Sequence, residues 1–195
     1  MVEPFDVLIK DTMIVDGTGS PGFKGSVAIR GGKIVAVGQI TGGAAEVIDG
    51  AGLVTCPGFV DPHSHADLTI LAYPLAENLI MQGITTFVGG NCGFSLAPLK
   101  DVAQFERVMS AWKQDLELDW GTFGEWLSKV DTIGLSPNYV PLVGHNTIRE
   151  SVMGGDFKRE ATPNEVEEMK ELVGEAMGSG AFGLSVGLDA YWAGH

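Results

Sequence analysis

The sequence predicts an α/β protein in which a small all-β module precedes a parallel sheet alternating with helices. Three observations carry that expectation. Up to about Leu53, short apolar runs are punctuated by glycine-rich turns, the texture of a β module. Beyond residue 54, strand-like runs alternate with helical periodicity, the pattern of a parallel α/β sheet. At the junction, Pro57-Gly58-Phe59-Val60-Asp61-Pro62-His63-Ser64-His65 sets two imidazoles one residue apart, directly after an apolar run.

The elements follow in order. Val7-Leu8-Ile9, Met13-Ile14-Val15, Val27-Ala28-Ile29, Ile34-Val35-Ala36-Val37 and Val47-Ile48 read as strands of a small β-sandwich segment spanning residues 1–56. Ile29-Arg30-Gly31-Gly32-Lys33-Ile34 reads as a hairpin, because a Gly-Gly pair supplies the positive φ angles of a two-residue primed turn. In residues 57–195 and just before them, Leu53–Val60 is expected as a buried strand, Leu68–Met81 as a helix and Gly83–Gly89 as a second strand. Helices are expected at about 102–116 and at Phe123–Val130, and a third strand at Tyr139–Val143. Thr162-Pro163-Asn164-Glu165 is a capping-box pattern with proline at the first helical position, and its helix runs to a stop at Gly178-Ser179-Gly180. Ala181–Ser185 is expected as a fourth strand.

Composition narrows the function classes. The 195 residues are 45% hydrophobic, enough for a sizeable core, and 12 basic against 25 acidic residues leave a net charge of −13. Such a surface repels nucleic acid and anionic lipid, so small-molecule partners are favoured. No basic segment leads into an apolar one at the start and no long apolar stretch follows, so a cytoplasmic location is expected. The two cysteines, Cys56 and Cys92, form no Cys-x-x-Cys pair and indicate no disulfide framework. Cys56 reads as core, as do Trp112, Trp120 and Trp126.

Alternate residues of a strand share a face, so His63 and His65 point the same way. At the C-terminal mouth of a barrel such a pair offers a divalent metal two nitrogens at about 2.0–2.1 Å. The alternative is a pair of hydrogen-bonded histidines on a polar loop. Asp61 either orients a ligand histidine or simply forms a turn.

The order of motifs resembles a known family. The β module, the Pro57–His65 signature, Gly83-Ile84-Thr85-Thr86, Gly89-Gly90-Asn91-Cys92-Gly93, Gly144-His145-Asn146-Thr147-Ile148-Arg149 and Gly183-Leu184-Ser185-x-Gly187-Leu188 together look like the N-acyl-D-amino-acid deacylase (D-aminoacylase) branch of the amidohydrolase superfamily. The resemblance implies the first half of a (β/α)8 TIM-type barrel beside a small β-sandwich, and zinc held by His63, His65 and Cys92. It implies hydrolysis of a linear N-acyl amide by metal-activated water, with cyclic-amide or carbamate hydrolysis and a non-catalytic scaffold subunit as alternatives. His145 would contact substrate or its oxyanion, and Tyr191 would lie near the substrate carboxylate, although Asp189 and Ala190 alter the register there. Asn146 and Arg149 would shape the loop.

A whole barrel needs eight strands and typically about 250 residues, of which residues 57–195 supply about half. The resemblance places two further zinc histidines and the catalytic aspartate in later strands, so none of this chain's residues is assigned those roles. A second polypeptide is therefore expected to complete the barrel as a heterodimer, arising by cleavage after His195 or from separate genes; a plain truncation is the alternative.

Overall fold

The computed structural model describes residues 4–101, 103, 104, 106 and 118–188. Two compact units divide the chain, Met1–Pro57 and Gly58–His195. The helix expected at about 102–116, Trp112, Tyr191 and the terminal His195 fall wholly or mainly outside the described residues.

The first unit is one mixed sheet. Strands β1 (Phe5–Ile14), β2 (Phe23–Arg30), β3 (Lys33–Gly38) and β4 (Ala44–Asp49) lie in the order β3-β2-β1-β4, and the two-residue β5 (Val54–Thr55) also pairs with β1. β1 runs antiparallel to β2, with Leu8 opposite Ala28, and parallel to β4 and β5. The runs Val7–Ile9 and Met13–Val15, expected as separate strands, merge into β1 through a register shift between Ile9 and Thr12. Asp11 takes the extra residue at φ 57°, a left-handed conformation that aspartate tolerates better than most side chains. The hairpin between β2 and β3 forms as expected, with Gly31 and Gly32 at φ 57° and 70°. A single layer is what the described residues of this unit build; the expected sandwich has no second layer among them.

The second unit carries four parallel strands in the order β6 (Phe59–Asp61), β7 (Ile84–Gly89), β8 (Asn138–Gly144) and β9 (Gly183–Ser185). Asp61 pairs with Phe87, Val88 with Val140, and Val143 with Leu184. Parallel neighbours in chain order, joined by helical crossovers, make an α/β unit. Its helices are α1 (Glu77–Ile80), α2 (Phe123–Ile133), α3 (His145–Met153) and α4 (Pro163–Ser179), with 3₁₀ turns at Ala66–Leu68 and Gly154–Asp156. Trp126, Phe123, Phe87, Val143, Ile148 and Leu96 form its core, and the Trp120 indole donates to Leu96 O at 2.6 Å. Both long helices start with a capping box, Thr122 with Glu125 and Thr162 with Glu165, and α4 stops where Gly180 turns left-handed. Among the described residues, no helix is long and apolar enough to cross a membrane.

Three expectations need correction. Leu53–Val60 is not one buried strand: β5 belongs to the first sheet and β6 to the second, and Leu53 and Phe59 are 60% and 57% exposed. Pro57 cannot donate to a ladder, so pairing breaks there and the chain changes sheet. Cys56, beside that break, is exposed rather than core. Leu68–Met81 is not a continuous helix but a 3₁₀ turn followed by the single turn α1. Pro74 interrupts the ladder, and Ala76 enters α1 at φ 44°, although Leu68, Ile70 and Leu79 are buried.

Candidate metal centre

The C-terminal ends of the four parallel strands are adjacent, and each carries chemistry on the residues that follow. His63 and His65 come after β6, Cys92 after β7, His145 opens α3 after β8, and Ser185 closes β9. That is the face on which parallel α/β units build their sites.

His63, His65 and Cys92 each present one ligand atom, and these atoms all lie within 4.8 Å of one another. His63 Nε2 stands 3.1 Å from Cys92 Sγ, and the two imidazoles meet edge to face with centroids 5.7 Å apart. Burial, and secondarily the nearby His63, hold the His65 pKa below the ordinary imidazole value. His65 is therefore neutral at pH 7, with a lone pair free for coordination. Two imidazoles and a thiolate form a donor set that suits zinc, whose structural and catalytic sites draw on histidine and cysteine. The residues present fit a metal.

Both ligand loops are held by main-chain hydrogen bonds. Asp61 Oδ1 accepts from His63 N at 3.1 Å, so this carboxylate fixes the turn that presents His63 rather than its ring. Ser64 N donates to Val88 O at 3.0 Å, and the buried Asn91 amide donates to both Ser64 O and Val88 O, at 3.1 and 2.7 Å. Asn91 thus ties the histidine loop to the cysteine loop. Cys92 sits at φ 56°, a left-handed conformation uncommon for a side chain other than glycine. Its neighbour Gly93 offers its carbonyl to Asn146 N and Thr147 N, at 2.9 and 3.2 Å, at the start of α3.

His145 stands outside the three-residue cluster, with Nδ1 3.2 Å from Asn146 Oδ1. Asn146 also donates through Nδ2 to Gly187 O at 3.2 Å, and Arg149 binds Phe157 O and Arg159 O, so these two residues brace the surrounding loops.

Sequence reasoning missed Asp67. Its fully buried carboxylate accepts from Gly90 N at 3.0 Å through Oδ2, while Oδ1 is buried with no partner at hydrogen-bond geometry among the described residues. Burial pushes its pKa up to about 7, against the pull of backbone hydrogen bonds led by that of Gly90. The available signal was an aspartate set among apolar Ala66, Leu68 and Ile70, two residues past His65.

Comparison with known proteins agrees with this geometry. The amidohydrolase family model matches residues 46–191. An N-acyl-D-aspartate deacylase from Alcaligenes xylosoxydans xylosoxydans is 41% identical over 183 residues, covering 93% of this chain and 36% of that protein. A D-aminoacylase from the same organism is 37% identical over 95% of this chain and 38% of its own length. Among solved structures, N-acyl-D-glutamate deacylase from Bordetella bronchiseptica, complexed with zinc and a phosphonate mimic of the tetrahedral intermediate, superposes with a TM-score of 0.85 at 31% identity. That match covers 95% of this chain and 39% of the other. A D-aminoacylase crystal structure gives a TM-score of 0.87 at 37% identity, covering 98% and 40%. The chain thus spans about two-fifths of the length of these relatives. On the family match and these likenesses, the chain belongs to the amidohydrolase family, on its D-aminoacylase branch.

Proposed function

We propose that this chain forms the first half of a zinc-dependent amidohydrolase barrel that cleaves a linear N-acyl amide of the N-acyl-amino-acid type. The observation that carries the reading is the convergence of His63, His65 and Cys92, within 4.8 Å, at the C-terminal ends of adjacent parallel strands. Those three residues would hold the metal. When bound, zinc supplies Lewis acidity toward a carbonyl oxygen and lowers the pKa of its bound water to about 7. Neutral His65 keeps its lone pair directed at coordination rather than at a proton. In this proposal His145, which follows β8, hydrogen-bonds the substrate or its oxyanion, and Tyr191 lies near the substrate carboxylate.

Polypeptide beyond these residues completes the barrel in this proposal, carried on a second chain that brings the remaining strands, further histidine ligands and the aspartate that moves the proton. The two-fifths coverage of the relatives, and β6 and β9, each of which pairs on one side only among the described residues, support the further strands; the second chain is the proposal's own step. The same addition would cover the β module as a sandwich. Native mass spectrometry tests the arrangement: two stoichiometric chains support the heterodimer, and one longer chain overturns it.

Activity is tested on that complete protein with paired N-acyl-D- and N-acyl-L-amino acids. Release of free amine, its loss on chelation and its recovery with zinc are expected. Cys92→Ala should remove most of the activity and leave the fold intact, because the side chain is small and half-buried. Full activity and unchanged zinc content in Cys92→Ala would overturn the assignment.

A further inference from the structure

We propose that Ser185, at the end of the fourth strand, is a positioning residue that holds Cys92 in its ligating conformation. The inference rests on the reading of Cys92 as a metal ligand.

Cys92 and Gly93, left-handed at φ 56° and 79°, are the central residues of a tight turn that Phe94 N closes by donating to Asn91 O at 2.9 Å, and Gly90 before it is left-handed too, at φ 79°. The Ser185 hydroxyl ties that turn to the fourth strand. Its oxygen accepts from Gly93 N at 3.0 Å, and its proton is donated to Gly90 O. One side chain thereby bridges the residues flanking Asn91-Cys92, from 92 and 95 positions away. Both bonding capacities of the hydroxyl that this geometry engages face the loop, so Ser185 acts through the backbone of the cysteine loop and not on substrate.

The neighbouring contacts leave Gly93 N and Gly90 O to Ser185. Asp67 takes Gly90 N, the start of α3 takes Gly93 O, and Gly187 packs directly against the Cys92 carbonyl. β8 lies between β7 and β9, so a bond from β9 reaches across the intervening strand's end to the loop after β7. The seating of the fourth strand is therefore passed to the sulfur donor.

The test uses the protein with its barrel complete. Ser185→Ala removes the bridge, while Ser185→Thr and Ser185→Val form a near-isosteric pair that differs in the hydroxyl alone. Zinc affinity is read by competition with a chromophoric chelator, and the sulfur ligand by the thiolate-to-metal charge-transfer band of the cobalt(II)-substituted protein. Thermal melting reports the fold. Ser185→Ala and Ser185→Val should bind zinc about 10–100-fold more weakly with a diminished or shifted band, and Ser185→Thr should restore both. Should the alanine variant not fold, the Thr/Val pair carries the comparison. Cys92→Ala separates the two readings. If it abolishes the band while Ser185→Ala and Ser185→Val keep wild-type affinity and spectrum, Cys92 is a ligand and the role given to Ser185 is wrong. If Cys92→Ala itself keeps wild-type affinity and band, the ligand assignment fails and takes this inference with it.

Discussion

Gly187→Ala offers a severe test of how tightly the cysteine loop is held. A Cβ at this position would stand 2.1 Å from the Cys92 carbonyl oxygen and 2.7 Å from its carbon, where ordinary contact begins at 3.4 Å. Gly187 is not left-handed, so the substitution is purely steric. Backbone, unlike a flexible side chain, cannot swing aside, and Cys92 or the Gly187 segment must yield by more than 1 Å. Metal–ligand distances tolerate about 0.2 Å, so a shift of that size takes the thiolate out of range even if the chain absorbs the strain for about 1–3 kcal/mol. Zinc affinity should fall at least about tenfold, measured by chelator competition on the complete protein. Gly155→Ala serves as control, since its Cβ meets nothing within 4 Å. Equal zinc affinity in the two variants would refute the claim that the cysteine loop is rigid.

Asp67 makes a pH prediction for metal-depleted protein. Its folded pKa of about 7 lies above the ordinary 3.8, so the native state holds a proton that the unfolded state has released between those values. The stabilisation is complete below pH 4 and is lost as pH rises through 7, on the order of 4 kcal/mol by linkage; Asp67→Asn should flatten that slope in denaturant titrations from pH 5 to 8. Gly174→Ala, exposed inside α4 with open space around its Cβ, should stabilise by about 0.5–1 kcal/mol in urea unfolding; a destabilised variant would contradict the helix as drawn. Thr162→Ala deletes the oxygen that accepts from Glu165 N and should cost about 1 kcal/mol, read in the same titration.

Local signals carried much of the second unit. His63 and His65 were legible as a pair set directly after an apolar run, although both lie in the loop beyond β6, where hydrogen bonds of Asp61 and Ser64 rather than strand alternation hold the chain; the capping box at Thr162 named its helix start within the residue. Where the reading failed, a local rule met a non-local choice. The apolar run 53–60 satisfies a buried strand by composition, yet Pro57 splits it between two sheets. Apolar spacing over 68–81 suits a helix, but Pro74 and the left-handed Ala76 leave a single turn. Asp67 and Ser185 were invisible for another reason. Each matters through bonds to backbone atoms 23 to 95 residues away, and no spacing rule encodes a partner whose position depends on the finished sheet.

Exposed apolar side chains gather on the outer strands of the second unit. Phe59 and Val60 on β6 are more than half exposed, and Leu184 on β9 is 45% exposed between Phe182 and Leu188, at 77% and 79%. Among the described residues β6 and β9 pair on one side only, and such apolar strand edges template association with other copies of themselves. Residues 1–195 made on their own should therefore partition toward inclusion bodies, and the yield of soluble protein should rise with any addition that covers those two edges.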